Sequence, residues 1–125
     1  MVLYLHERRD IYRSSVFMKI NILGTDYKLH HVDSATQPMF DELRCNGFLD
    51  YTSKEVWVEK VGDTNLKEPD KMERKTIRHE IIHAFLFESG LFSSCQWAQN
   101  EEMVDWIAMQ FPKMLELFEK AKAMD

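Results

Sequence analysis

The 125-residue chain lacks several things, and each absence closes off a class of protein. No stretch of apolar residues approaches the length needed to cross a bilayer, so no membrane partner is expected. Basic residues are outnumbered, 16 Lys and Arg against 21 Asp and Glu, and a net charge of -5 offers no electrostatic footprint for nucleic acid. Only two cysteines occur, Cys45 and Cys95, without CxxC spacing, which excludes a disulfide framework and points to reduced thiols. Cys95 follows the longest helical stretch, where a role near a site stays open. The opening MVLYLHERRDIYRSS has its apolar run broken at His6-Glu7-Arg8-Arg9-Asp10, too soon for a secretory core, and the expected compartment is the cytoplasm. Repeats, low-complexity tracts and a second domain are missing as well. Residues 1–125 read as one domain, with 1–15 as a flexible arm.

What is present suits an ordinary globule: 45% apolar and 30% charged residues, in a chain long enough to bury about two-thirds of its unfolded surface. Val16 to Leu23 and Tyr27 to Asp33 alternate around Gly24-Thr25-Asp26, which predicts a hairpin. His30 and His31 fall on its second strand and point to opposite faces, so they do not chelate together. One should be packed and the other semi-exposed. Thr36 to Cys45 reads as a short helix, and Phe48 to Tyr51 as a short strand. Glu55 to Val61 alternates and is rich in β-formers, the strongest strand signal in the chain. The spacing then predicts one long helix from Asp70 to Gly90, with Asp70 as N-cap, Glu73 as capping-box partner and Gly90 as left-handed stop. Asn100 opens a second long helix whose stripe runs through Val104, Ile107, Ala108, Phe111, Leu115 and Phe118. Pro112 should kink or break it near Ala108 to Phe111. The fold class expected is α+β: a small antiparallel or mixed sheet packed on the first long helix and a C-terminal helix.

The first long helix carries His79-Glu80-Ile81-Ile82-His83. Residues four apart lie on one helical face, so His79 and His83 aim two imidazoles at one point. That is the geometry for two protein ligands of a tetrahedral zinc ion. Glu80 lies about 100° further round the helix, out of the ligand row but within reach of a water at the metal, as a general base.

Downstream, Asn100-Glu101-Glu102-Met103-Val104-Asp105 has the spacing N-E-x-x-x-D. HExxH followed by E-x-x-x-D resembles the gluzincin branch of zinc metallopeptidases, and RHEIIHAFLFESGL with NEEMVDWIAMQFP is similar to the phage and mobile-element members of the ImmA/IrrE group. The resemblance covers roughly residues 47 to 112 and implies a zincin-like fold. It also implies one zinc per chain, with Glu101 as third ligand and Asp105 as the acceptor that hydrogen-bonds the other ring N–H of His79. Glu102 is the alternative third ligand, because adjacent acids at a helix start are hard to tell apart and the helix dipole favours both.

By the same resemblance, a strand at the sheet edge runs along a bound peptide, and Glu55 to Val61 is the candidate. The implied activity is a cytoplasmic zinc endopeptidase acting on a peptide or protein, with Glu80 as base. Charge on the carbonyl oxygen needs a further donor, for which Tyr51, His30, His31 and Arg78 are candidates. Two other readings stay open. One is a zincin-like domain that keeps its metal and works as an interaction or accessory protein of a phage or mobile element. The other is a helical domain whose motif is accidental.

Overall fold

The computed structural model describes residues 17–62 and 64–125. The expected N-terminal arm lies outside the described residues. The elements in order are strands β1 (Phe17–Ile22) and β2 (Thr25–Val32), helix α1 (Met39–Leu43), and strands β3 (Gly47–Asp50) and β4 (Glu55–Glu59). Helices α2 (Pro69–Glu88) and α3 (Leu91–Ser94), a 3-10 turn at Gln96–Gln99 and helix α4 (Glu101–Lys120) complete the chain. The described residues form a small α+β protein, with a four-stranded mixed sheet and four α-helices.

The sheet order is β1-β2-β4-β3. The expected hairpin forms as β1 and β2, antiparallel, with Phe17 opposite His30 and Ile22 opposite Thr25. Its turn is at Leu23-Gly24, one residue earlier than the turn residues suggested. β4 pairs parallel with β2 and antiparallel with β3. β4 is therefore an inner strand, and its expected place at the substrate-side edge is wrong. Val56, Trp57 and Val58 are all buried, because both faces of this strand are covered. Its strong β signal marks the centre of the sheet. The edge is β3.

One sheet face packs on α2. Ile22, Tyr27, Leu29, Val56, Val58 and Ala84 form the core, with Ile77 and Ile81 of the helix against it. A smaller cluster of Leu86, Ala98 and Val104 joins α2 to α4 and takes in Cys95, which removes that thiol from the cleft described below. The short connection turns α4 back on α2, as Gly90, at φ +81°, ends the first helix in the left-handed region. The N-terminal residues of α2 take roles other than those their spacing predicts. Pro69 takes the first helical position, Glu68 is the N-cap, and no side chain caps it. Asp70 lies inside the first turn. Glu73 is buried instead of folding back to cap the helix: its carboxylate meets His31 Nε2 at 2.7 Å and accepts from Val61 N at 3.2 Å.

α4 does not break at Pro112; the helix is continuous to Lys120. Proline leaves the carbonyl four residues earlier, on Ala108, without its helical donor. Arg78 of α2 supplies the replacement, Nε donating to Ala108 O at 2.6 Å. The helix survives because its neighbour repairs it.

Candidate metal centre

Five residues of α2 are buried: Glu73, Glu80, His83, Ala84 and Leu86. Three of them are polar, so the inward side of this helix holds polar groups in place of a continuous apolar stripe. Phe85 of the same helix is exposed.

His79 and His83, one turn apart, bring their Nε2 atoms to 3.1 Å. Asn100 caps α4, its side chain accepting from Met103 N at 2.8 Å, and this puts Glu101 at the helix's first position. Glu101 Oε2 lies 2.8 Å from His79 Nε2, and Oε1 lies 3.0 Å from His83 Nε2. Two imidazole nitrogens and one carboxylate thus converge, each offering a ligand atom within 4.8 Å of the others. Glu102 is exposed and has no part in this cluster.

The donor set fits a divalent metal. Asp105 Oδ1 lies 3.0 Å from His79 Nδ1, which makes Nδ1 the proton-bearing nitrogen and leaves the Nε2 lone pair facing the cluster. Two Nε2 atoms at 3.1 Å need a shared proton or a cation between them. A tetrahedral zinc with bonds of about 2.0–2.1 Å sets neighbouring ligand atoms about 3.3 Å apart. An opening of a few tenths of an ångström would meet that spacing.

Lys75 adds a contact that the sequence did not suggest. Its Nζ lies 3.1 Å from Asp105 Oδ1 and 3.4 Å from Oδ2, so Asp105 is held from two sides, by His79 and by Lys75. Burial opposes ionisation of Asp105, but Lys75 and His79 outweigh it and keep the carboxyl below its usual pKa. Glu101 is also lowered: burial opposes ionisation, and His83 and His79 prevail. Burial pushes His83 below the usual histidine value against the pull of Glu101, which favours the neutral ring that a metal requires. Glu80 is pushed up to about 7, chiefly by burial, with His79 opposing and Glu101 adding to the rise. A cation beside it would draw that value down.

The cleft runs along β3. On one side of the cluster a cavity of about 400 Å³ is lined by Leu43, Phe48, Leu49, Tyr51, Phe87 and Phe92, with Glu80, His83 and Glu101 in its wall. On the other side, a cavity of about 270 Å³ is lined by more polar residues, among them Asn46, Lys75, Thr76 and Asp105. Cys45, Gly47, Glu80 and Glu101 line both. Gly47 lets the strand come this close: a Cβ there would stand 2.7 Å from Thr76 Cγ2 and 3.2 Å from Glu80 Cγ. Sequence reasoning missed Cys45, Gly47 and Lys75. Only Gly47 left a signal, a glycine at a strand start.

The donor candidates separate cleanly. His30 is buried, stacked on Trp57 at 3.7 Å, with its Nε2 2.6 Å from Glu55. His31 is engaged by Glu73 and Arg78 by Ala108. None of the three lines the cleft cavities, whereas Tyr51 does, stacked on Phe87 at 5.1 Å. His30 and His31 divide into one packed and one semi-exposed ring, as expected from their strand. Among the described residues, no helix is long and apolar enough to cross a membrane. No family model, curated protein or solved structure matches this chain.

Proposed function

We propose that the chain is a zinc-dependent endopeptidase, with His79, His83 and Glu101 as metal ligands, Glu80 as general base and Asp105 orienting His79. The single observation that carries this reading is the convergence of the two imidazoles and Glu101 beside a buried Glu80 in an open cleft. When bound, zinc supplies a Lewis acid for a carbonyl and lowers the pKa of a water towards neutrality. Glu80 would take the proton of the attacking water as its oxygen adds to the carbonyl carbon, and would pass that proton to the amine nitrogen as the C–N bond breaks. Tyr51 is the remaining donor candidate for the carbonyl oxygen as it gains charge. The edge strand β3 would give an extended peptide a main-chain partner, and the aromatic side of the cleft would give its side chains an apolar surface. The HExxH and E-x-x-x-D motifs that resemble gluzincins support the same assignment.

The test has two parts. Purified protein should carry about one zinc-class ion per chain by elemental mass spectrometry. Glu80→Gln should keep that metal while losing proteolysis against a denatured protein mixture. Metal-free protein that also fails to bind added zinc would overturn the reading. Metal-bound protein with no Glu80-dependent cleavage would favour the second reading, a metal-holding interaction protein.

A further inference from the structure

The two cavities beside the metal cluster differ in chemistry, and the direction of β3 decides which part of a peptide meets each. Gly47 opens β3 beside Thr76 and Glu80, near the middle of α2. Tyr51, just past the strand's end, stacks on Phe87 near the C-terminus of α2. β3 and α2 therefore run the same way, and His79 and His83 fall between Thr76 and Phe87. The cavity of about 400 Å³, walled by Phe48, Tyr51, Phe87 and Phe92, lies at the Phe87 end. The cavity of about 270 Å³, which takes in Met72, Lys75 and Thr76, lies at the other.

The ladder within the sheet fixes which main-chain groups of β3 face outwards. Glu59 N donates to Asn46 O at 2.8 Å, and Gly47 stands opposite Val58. Bonded and non-bonded positions alternate along an antiparallel pair. Phe48 accordingly bonds to β4 through Trp57, while Gly47 and Leu49 turn their N–H and C=O to the open edge. Antiparallel pairing is the more stable per residue, and β3 already pairs that way with β4. A peptide added antiparallel runs from the Phe87 end, past the metal ligands, to the Thr76 end. Its residues before the scissile bond then meet the aromatic cavity, and those after it meet the polar one.

Resting on the peptidase reading, we infer that the chain cleaves after a large apolar residue, aromatic or long aliphatic, whose side chain fills the cavity between β3, Phe87 and Phe92. Glu80, His83 and Glu101 stand in the wall of the same cavity, so its occupant is the residue that carries the attacked carbonyl. The rings of Phe87 and Phe92 lie 6.1 Å apart, and Tyr51 lies 5.1 Å from Phe87, so aromatic faces surround that side chain. The cavity after the bond has Asn46, Lys75 and Asp105 in its wall and gives no comparable apolar anchor. Residue choice there is loose.

The test gives zinc-loaded protein a peptide library and reads the cut sites by mass spectrometry. Phe, Trp, Leu and Met should be enriched immediately before the cut, with no apolar enrichment immediately after it. In matched peptides, Phe in place of Ala before the cut should raise kcat/KM on the order of 30-fold. Phe92→Ala should lower that ratio about fivefold while zinc content stays the same, since Phe92 is outside the metal cluster. Leu43 is a half-exposed residue of the pocket wall, and Leu43→Arg should move the Glu-to-Phe ratio before the cut about tenfold towards Glu. Apolar enrichment after the cut instead of before it, or equal rates for Phe and Ala, overturns the proposal. If the protein cuts nothing, the peptidase reading falls, and calorimetric binding of the Phe and Ala peptides to Glu80→Gln protein judges the pocket. Tighter binding of the Phe peptide sustains it as an apolar side-chain site, and equal binding overturns it.

Discussion

Replacing Gly47 by alanine tests how closely the edge strand approaches the metal helix. The new Cβ would meet Thr76 Cγ2 at 2.7 Å, with Glu80 Cγ and Trp57 O both at 3.2 Å. Ordinary carbon contacts lie at about 3.5–4.0 Å, so either the strand or the threonine must move. Thr76 is poorly placed to do so: it is β-branched, and its hydroxyl donates to Met72 O at 3.0 Å. Overpacking of this kind costs about 1–3 kcal/mol. The lower chain entropy of unfolded alanine offsets about 0.5–1 kcal/mol of that. A net loss of about 1–2 kcal/mol corresponds to a melting point lower by about 3–10 °C in a domain of this size.

The partner change is Thr76→Ser, which keeps the hydroxyl and removes Cγ2. Urea unfolding of wild type, both single variants and the double variant closes a cycle. Gly47→Ala should cost clearly less in the Thr76→Ser background, with a coupling of about 1 kcal/mol. If Gly47→Ala matches wild type, or if coupling stays below about 0.3 kcal/mol, the close approach is refuted.

Two further outcomes follow from other contacts. Arg78→Met should leave the Ala108 carbonyl without a donor and cost about 1–3 kcal/mol, and Pro112→Ala should reduce that loss by restoring the helical N–H, as read by urea midpoints. Glu88 accepts from Lys54 at 2.8 Å, Tyr27 at 2.5 Å and Thr25 at 2.9 Å, and these contacts, led by Lys54 and Tyr27, hold its carboxyl at about 2. A depressed acid stabilises the fold above its unfolded pKa, and that contribution fades as the pH falls from about 5 towards 2. Allowing for solvent screening, the contribution is about 1–2 kcal/mol. Glu88→Gln should flatten the stability profile over that range, and an unchanged slope would count against the assigned contacts.

The sequence was legible where one local pattern decides the outcome. The histidines share a face because helical spacing demands it, and Asn100 starts α4 where a short polar side chain can cap it. Gly90 stops α2 for an equally local reason. The reading failed where the deciding partner is distant in the chain. Glu73 satisfies a capping-box spacing, but His31 and Val61 claim its carboxylate from across the fold. β4 has the best strand composition because it is central, and nothing in its residues reports which neighbour lies at the edge. Pro112 reads as a break until Arg78 is seen to fill the gap, 30 positions away along the chain. Lys75 was one more surface lysine until Asp105 gave it a contact.

The bond from Arg78 to Ala108 has a mechanical consequence. Arg78 immediately precedes His79, and Ala108 lies two turns along from Glu101, so this clasp, together with the contacts of His79 and Lys75 to Asp105, limits how far one helix can slide along the other. A slip of one turn, about 5.4 Å, would carry Glu101 out of reach of both imidazoles. The proline that interrupts the ladder thereby creates the notch in which the two helices are locked in register.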